Sequence, residues 1–436
     1  MRLKVKKPYY ILSFSFWGLI LTADQLLLPM FHFNGLPFKL SYFLAGYWFV
    51  DFLVRKDRDF YADREFKMFA MAVMIIVLCS CIGELFFAVT QNVESLEPFI
   101  RSVLIYVLMM LSFGLGLSAL NFNFKRLISI LLVALFLNFG FIFLKFQMPP
   151  FLISLYYGDA VINDFAGLGL TDVESVLALT RPRGLFPNPN ASAFLVNIIS
   201  LFLYLGIKHK LCAIPKFGHY FLVITLPIIL TMLLASRGEF LVSLVLAALH
   251  YKLVLTNNKS YVRKLNVLII LVPLSLIGYV SQKIDMSDFQ QNIDRTLSII
   301  DVIDNSSADA DQQKRELSSL ARPLQVFLPA YQRFKISPIF GSGYSKVAGH
   351  AYFSEGTDYF HNDWFRILVT SGVIGVVVML WIINRFVLFL GWPVLIPFVF
   401  PGMVNSFLLN IPAVMFFFFM IGCMRSRLKR PKPLNI

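Results

Sequence analysis

Apolar runs close to the roughly 20 residues a helix needs to cross a bilayer recur along the chain. They lie at about 9–30, 36–54, 68–90, 99–120, 127–146, 190–207, 218–235, 239–256, 265–282, 362–384, 386–402 and 404–424. This pattern predicts an all-α polytopic integral membrane protein with about twelve transmembrane helices. Two long polar intervals interrupt it, at 147–189 and 283–360. The expected layout is therefore nine helices within 1–282, a large loop over 283–360, three helices within 361–424 and a short basic tail over 425–436. Loops of this length in compact proteins usually carry function. Within the second, DNSSADADQQK has the composition of a flexible segment, whereas Leu317, Leu320, Leu324, Leu328 and Tyr331 recur at three or four residues. That spacing predicts short amphipathic helices near the membrane surface. Pro323 and Pro329 divide them into two pieces joined at a bend.

Composition agrees with the hydropathy pattern: 58% hydrophobic and 15% charged residues, with a mean hydropathy of +0.71, exclude a soluble globular domain. The first apolar run is long, contains Asp24 and lacks a small-residue cleavage pattern, so it is expected to stay as a membrane helix. The formal charge of +14 is spread unevenly. Arg2, Lys4, Lys6, Lys7, Lys125, Arg126, the segments 208–216 and 252–264, Arg385 and the tail with Arg425 and Arg427 would share the cytoplasmic side, with the mixed segment 55–67. Both termini then face the cytoplasm, as an even number of crossings requires. The acidic turn 91–98 and the two long loops fall outside, on the periplasmic side. A basic balance distributed in this way reads as membrane topology and contact with lipid, with no nucleic acid as partner.

Candidate chemistry gathers on the external side. A histidine, an aspartate and an arginine (His361, Asp363, Arg366) stand on the opening turns of a membrane-grade helix, although an ionisable residue costs about 2.5–3.5 kcal/mol at the bilayer centre and less toward the interface. Asp363 and Arg366, three apart, are placed to pair. On a regular helix the face of His361 would include positions 365, 368, 372 and 375, where Gly372 and Gly375 would admit a close helix neighbour. Arg181 and Arg183 precede the helix that starts near Asn190, Arg237 sits in ASRGE between two crossings, and Arg322 lies in the large loop. Guanidinium groups bind phosphate oxygens bidentately, so several of them can hold a pyrophosphate; the plainer alternative is snorkelling to lipid headgroups. Asp24 and Glu84, acidic residues inside apolar runs, each either sit near a helix end or bond a neighbour. Four cysteines and six histidines show no disulfide framework and no zinc spacing, so no metal or other cofactor is expected.

RPRGLFPNPNASAFL, LLASRGEFL, SPIFGSGY and HNDWFRILVTSGVIG, in this order across roughly 180–376, resemble the motifs of the O-antigen ligase and polymerase superfamily. The resemblance implies transfer of a glycan from an undecaprenyl-pyrophosphate-linked oligosaccharide to an acceptor hydroxyl, without metal, on the periplasmic face of the bacterial inner membrane. It further implies a pyrophosphate contact for Arg237, a matching loop arginine in Arg322, and a base or acceptor-orienting role for His361. Arg181 aligns with the arginine of an Arg-x-x-Gly motif, and Arg183 adds a nearby charge. Asn362, Asp363 and Asn190 are supporting residues. Many ligase-like members carry a second histidine two positions before the one matched by His361, and this chain has Tyr359 there. The expected activity is therefore an O-antigen or related polysaccharide polymerase, with ligation to lipid A core as the alternative. A lipid-linked oligosaccharide would then be the acceptor, and a flippase and a chain-length regulator would be functional partners. A transporter of equal helix count would place its ionisable groups near the midplane and show repeated halves, and no repeat is visible. A peptidoglycan polymerase of the shape, elongation and division type shares the helices and donor but not the motifs.

Overall fold

The computed structural model describes residues 31–33, 36–38, 63–90, 93–118, 133, 135–137, 139–140, 142, 189–211, 217–234, 236–257, 330–347, 362–399, 408 and 411–428. In chain order the elements are β1 (Phe31–Phe33), β2 (Leu36–Phe38), α1 (Arg64–Thr90), β3 (Val93–Ser95), α2 (Glu97–Ser118), α3 (Pro189–Lys208), α4 (Phe217–Leu233) and α5 (Arg237–Asn257). A helical stretch over 330–336 follows. The remainder are β4 (Lys346–Val347), α6 (Asp363–Leu390), a 3-10 turn (Trp392–Leu395), α7 (Ile396–Val399) and α8 (Ile411–Leu428). Among the described residues, four stretches are long and apolar enough to cross a membrane: Arg64–Val89, Pro98–Leu117, Gly238–Leu255 and Asp363–Leu390. Shorter apolar helices run over Ser192–Lys208 and Val223–Leu233. The expected spans 9–30 and 265–282, and most of 36–54 and 127–146, lie outside the described residues, as does 147–188.

The chain divides into two compact units, Met1–Trp48 with Asn123–Ile300, and Phe49–Phe122 with Asp301–Ile436. In the first, α3, α4 and α5 pack against one another. Residues 192–207 of α3 are buried throughout, as befits a helix that is apolar on every face. Polar side chains tie the helices together. His250 Nε2 meets the Ser200 carbonyl at 3.0 Å, and Thr231 Oγ1 donates to Ser243 Oγ at 3.0 Å. β1 and β2 pair antiparallel, with Phe31 opposite Phe38. This corrects the helix expected from residue 36. The strands flank Asn34-Gly35, the dipeptide favoured in two-residue hairpin turns, and the apolar count alone did not register it.

The second unit holds α1, α2, α6 and α8, and each contributes one ring to an aromatic core. Phe69 lies 4.8 Å from Phe113, 5.9 Å from Phe386 and 5.5 Å from Phe418. α2 and α8 meet through glycines: a Cβ on Gly116 would fall 2.1 Å from the Phe419 carbonyl oxygen, and one on Gly422 would fall 2.4 Å from that of Phe113. Bare backbone at such a crossing is the usual route to close packing between apolar helices.

Two expectations about the 362–402 region are corrected. A break near Arg385 was expected, yet α6 runs through it to Leu390 and the chain turns at Gly391, with φ 90°. Arg385 is held inside the helix because Glu65 accepts its guanidinium at 2.8 Å. Glu65 also accepts from Arg425 at 3.1 Å, so Glu65, Arg385 and Arg425 share one end of this unit. Regular helical phasing from His361 to Gly375 also fails, because Gly372 adopts φ 65° and ψ −165°. α6 is therefore two arms, 363–371 and 373–390, joined at a kink, and Gly372 belongs to the joint.

Candidate functional site

In the second unit the site is built from two of the motif segments. The loop 337–345, SPIFGSGYS, is seated between α1 and the kink of α6, and residues 341–345 are buried. This part of the expected external loop is thus built into the helical unit. The kink exposes backbone groups that a regular helix would pair internally, and an apolar surround makes each one costly unless satisfied. The loop satisfies them. Val373 N donates to the Pro338 carbonyl at 3.0 Å and Ile374 N to that of Ile339 at 3.4 Å, while the Val369 carbonyl accepts Ser342 N at 2.7 Å. Such contact requires bare backbone on both sides. A Cβ on Gly372 would lie 2.1 Å from the Ile339 oxygen, and one on Gly83 of α1 would lie 2.5 Å from the Gly341 oxygen.

A buried charge fixes the far side of the loop. Glu84 of α1 is 5% exposed; it accepts Tyr344 N at 2.6 Å and the Ser345 hydroxyl. Arg333 is fully buried, donates from Nη2 to the Ser345 carbonyl, and sits over the Phe87 ring at 4.8 Å. Burial pushes its pKa down to about 10, opposed by the nearby Glu84 carboxylate, so it stays a cation at neutral pH. The helical stretch 330–336 therefore turns its arginine inward, with Ala330 against Val369 and Phe365. Its carbonyl acceptor, counter-charge and ring all lie inside the unit; of the residues expected to form surface amphipathic helices, Leu317, Leu320, Leu324 and Leu328 lie outside the described residues and Tyr331 is exposed.

At the start of α6, Asn362 is the N-cap: its Oδ1 accepts Trp364 N at 2.9 Å and Phe365 N at 3.1 Å, meeting donors that every helix start leaves open. The Asp363 carboxylate receives Leu408 N at 3.3 and 3.2 Å. Trp364 Nε1 donates to the Phe398 carbonyl at 3.0 Å. Arg366, 3% exposed, reaches across to α2, donating from Nη2 to Ser102 Oγ at 2.8 Å, and lies over the Tyr344 ring at 5.5 Å. Tyr344 in turn bonds Tyr106 through the hydroxyls at 3.5 Å. One arginine thus links α2, the loop and the first arm of α6. His361 immediately precedes the cap and, with Arg181, Arg183 and Arg322, lies outside the described residues.

The first unit carries the remaining motif residues. Asn190 is the second residue of α3 and Arg237 the first of α5. Asn197 Nδ2 donates to the Glu239 carbonyl at 2.8 Å and to its carboxylate at 2.7 Å, while farther along the same helices Ser200 meets His250. α3 and α5 therefore run parallel, which brings Asn190 and Arg237 to the same end of the unit. Ser236-x-x-Glu239 has the spacing of a capping box, yet Glu239 is turned to Asn197, and the buried Ser236 Oγ has no hydrogen-bond partner.

Sequence reasoning left Glu84 open between two roles and passed over Arg333, Ser102, Asn197 and Glu239. An acidic residue inside an apolar run, six residues before the end of α1, was the available signal for Glu84. The Ser-x-x-Glu spacing was the one for Glu239. Nothing in the local pattern marks Arg333.

No curated protein matches the chain. Residues 221–380 match the family model described as O-antigen ligase. The matched region runs from α4 to the second arm of α6 and takes in the ASRGE segment, the loop 337–345 and the kink. Over this region, 160 of the 436 residues, the chain is similar to the O-antigen ligase family.

Proposed function

We propose that the protein is a polymerase of O-antigen or a related surface polysaccharide, transferring a glycan from an undecaprenyl-pyrophosphate donor to a hydroxyl of a lipid-linked oligosaccharide at the periplasmic face. The observation that carries this reading is the interlock of two motif segments. The loop 337–345 completes the hydrogen bonding of the α6 kink, while Asn362 and Arg366 hold the start of the same helix. The backbone on the C-terminal side of His361 is thereby fixed from three directions, and a fixed base or orienting group is what a displacement reaction requires.

In the reaction, the acceptor oxygen forms the new bond to the anomeric carbon as the bond from that carbon to the pyrophosphate oxygen breaks. His361 orients the acceptor hydroxyl or takes its proton. Arg237, with Arg181, Arg183 and Arg322, stabilises the departing undecaprenyl pyrophosphate, whose charge grows in the transition state. Direct displacement inverts the anomeric centre. Because pyrophosphate is a good leaving group, orientation and charge neutralisation supply most of the acceleration, at about tenfold per 1.36 kcal/mol. Tyr359, standing where ligase-like members carry a second histidine, favours polymerisation over ligation.

The test is a gel of surface glycan from a strain deleted for the gene and complemented with wild type, His361→Ala or Arg237→Ala. A polymerase leaves single repeats attached to the core when either variant replaces wild type. Loss of all attached repeats with lipid-linked polymer accumulating identifies a ligase instead. A normal ladder from both variants, at wild-type membrane abundance, overturns the assignment of these residues.

A further inference from the structure

About 28 Å along α1 from Glu84, taking 1.5 Å per residue, the second unit carries a charged cluster that the proposed reaction does not use. Glu65 Oε1 accepts from Arg385 at 2.8 Å and from Arg425 at 3.1 Å. One carboxylate oxygen therefore serves two guanidinium groups, each carrying five N–H donors. Each commits Nη2 to Glu65, which leaves further Nη donors on each fork; the Nε atoms, also without a hydrogen-bond partner, are buried. Both side chains remain open to the exterior, 34% and 22% exposed, whereas Glu65 is 13% exposed. Arg64 and Lys67 are exposed on the same first turn of α1, and Arg427 follows on α8. Among the described residues the carboxylates on these helix ends are Glu65 and Asp63, and Asp63 Oδ1 is engaged with Glu65 N at 2.8 Å. The cluster thus keeps a positive excess.

Its surroundings indicate where an anion would come from. Trp381 and Leu388 are four residues before and three after Arg385, hence on the same face of α6, and they are 37% and 69% exposed. Trp392, just beyond Gly391, is 53% exposed. An outward stripe of tryptophan and leucine around an arginine near a helix end is the arrangement of a helix passing from hydrocarbon to headgroup level. Arg425 is further fixed over the Phe389 ring at 5.0 Å, so the two guanidiniums are preorganised rather than free to spread into water. We infer that Arg385 and Arg425, converging on Glu65, form a site for a phosphate-bearing anion, and that its occupant is the headgroup of an anionic phospholipid. A phosphodiester has the oxygens to meet the donors left over by Glu65, and a bilayer supplies it at high local concentration. This site rests on the membrane reading of α1, α6 and α8 and is independent of the proposed reaction.

The full chain, reconstituted in nanodiscs, provides the test. Unfolding midpoints are compared in phosphatidylcholine, in phosphatidylcholine with phosphatidylglycerol, and in phosphatidylcholine with added inorganic phosphate. Wild type should gain roughly 2–4 °C from phosphatidylglycerol, and the Arg385→Gln/Arg425→Gln variant should lose that gain. Glu65→Gln removes the competing carboxylate and should keep or enlarge it, and this arm decides alone if the double variant fails to fold. Inorganic phosphate should give a smaller gain than the lipid. Equal midpoints in the two lipids, an equal gain in the double glutamine variant, or loss of the gain in Glu65→Gln would overturn the site. A response to inorganic phosphate without one to phosphatidylglycerol would overturn the lipid assignment.

Discussion

Replacing Gly372 by alanine tests whether the loop and the kink hold each other. At φ 65° and ψ −165° an L residue is strained by about 1–3 kcal/mol. The added methyl would stand 2.1 Å from the Ile339 oxygen and 2.7 Å from Gly341 N, both backbone atoms, so no rotamer change relieves it. The loop must withdraw by about 1 Å or more to restore normal contact, since non-bonded heavy atoms sit at roughly 3.5 Å. That movement strains the bonds from Val373 N and Ile374 N to Pro338 and Ile339, worth about 0.5–1.5 kcal/mol each. Together these terms predict a loss of at least about 2 kcal/mol. Thermal unfolding of the purified full chain should show a clearly lower midpoint for Gly372→Ala. Gly140→Ala, where an added Cβ meets nothing within 4 Å, should stay near wild type. Hydrogen exchange across 337–345 should rise in Gly372→Ala, and glycan transfer should fall with it. An unchanged midpoint together with unchanged exchange would refute the interlock.

Glu84→Ala should cost about 3–5 kcal/mol, because it leaves the buried Arg333 cation without its counter-charge; adding Arg333→Gln should recover part of the loss, and a double-mutant cycle that shows simple additivity would contradict the coupling. Asn362→Ala removes the cap on α6 and should cost about 1 kcal/mol, with a fall in transfer larger than the fall in folded protein, measured by activity per folded molecule. Gly116→Leu places a side chain where the Phe419 backbone lies, so it should separate α2 from α8 and lower membrane abundance, read by immunoblot against Gly140→Ala; equal abundance would contradict the close crossing.

Much of the helical architecture was legible because a bilayer imposes a simple criterion, an apolar run of sufficient length. α1 falls on the expected 68–90 and α5 on 239–256, each within four residues. The departures share a cause: the sequence records what a residue is, while its effect depends on a partner far along the chain. Arg385 reads as a helix end, but Glu65, 320 residues earlier, neutralises it within the helix. Gly372 reads as a small residue at a helix crossing, but it accommodates Ile339, and the loop that carries Ile339 completes the hydrogen bonding of the kink.

The same reasoning explains which parts of the candidate site were visible. Asn362 and Asp363 stand out as polar residues opening an apolar helix, and the structure gives each a backbone partner, the first turn of α6 for one and Leu408 for the other. Arg333 could not stand out. Its cation is stabilised by Glu84 and a carbonyl of the loop, both brought to it by the fold, and its neighbours in sequence resemble an ordinary basic surface. Glu84 lies in between: a carboxylate within an apolar run signals a buried partner without naming it. The residues that hold this site in place are therefore less conspicuous in sequence than those proposed to act in it, because the supports are drawn from buried positions on α1, α2 and the loop. A substitution at Glu84 or Gly372 should consequently act on the start of α6 from a distance, through the loop, which is the route by which the kink and the proposed chemistry are joined.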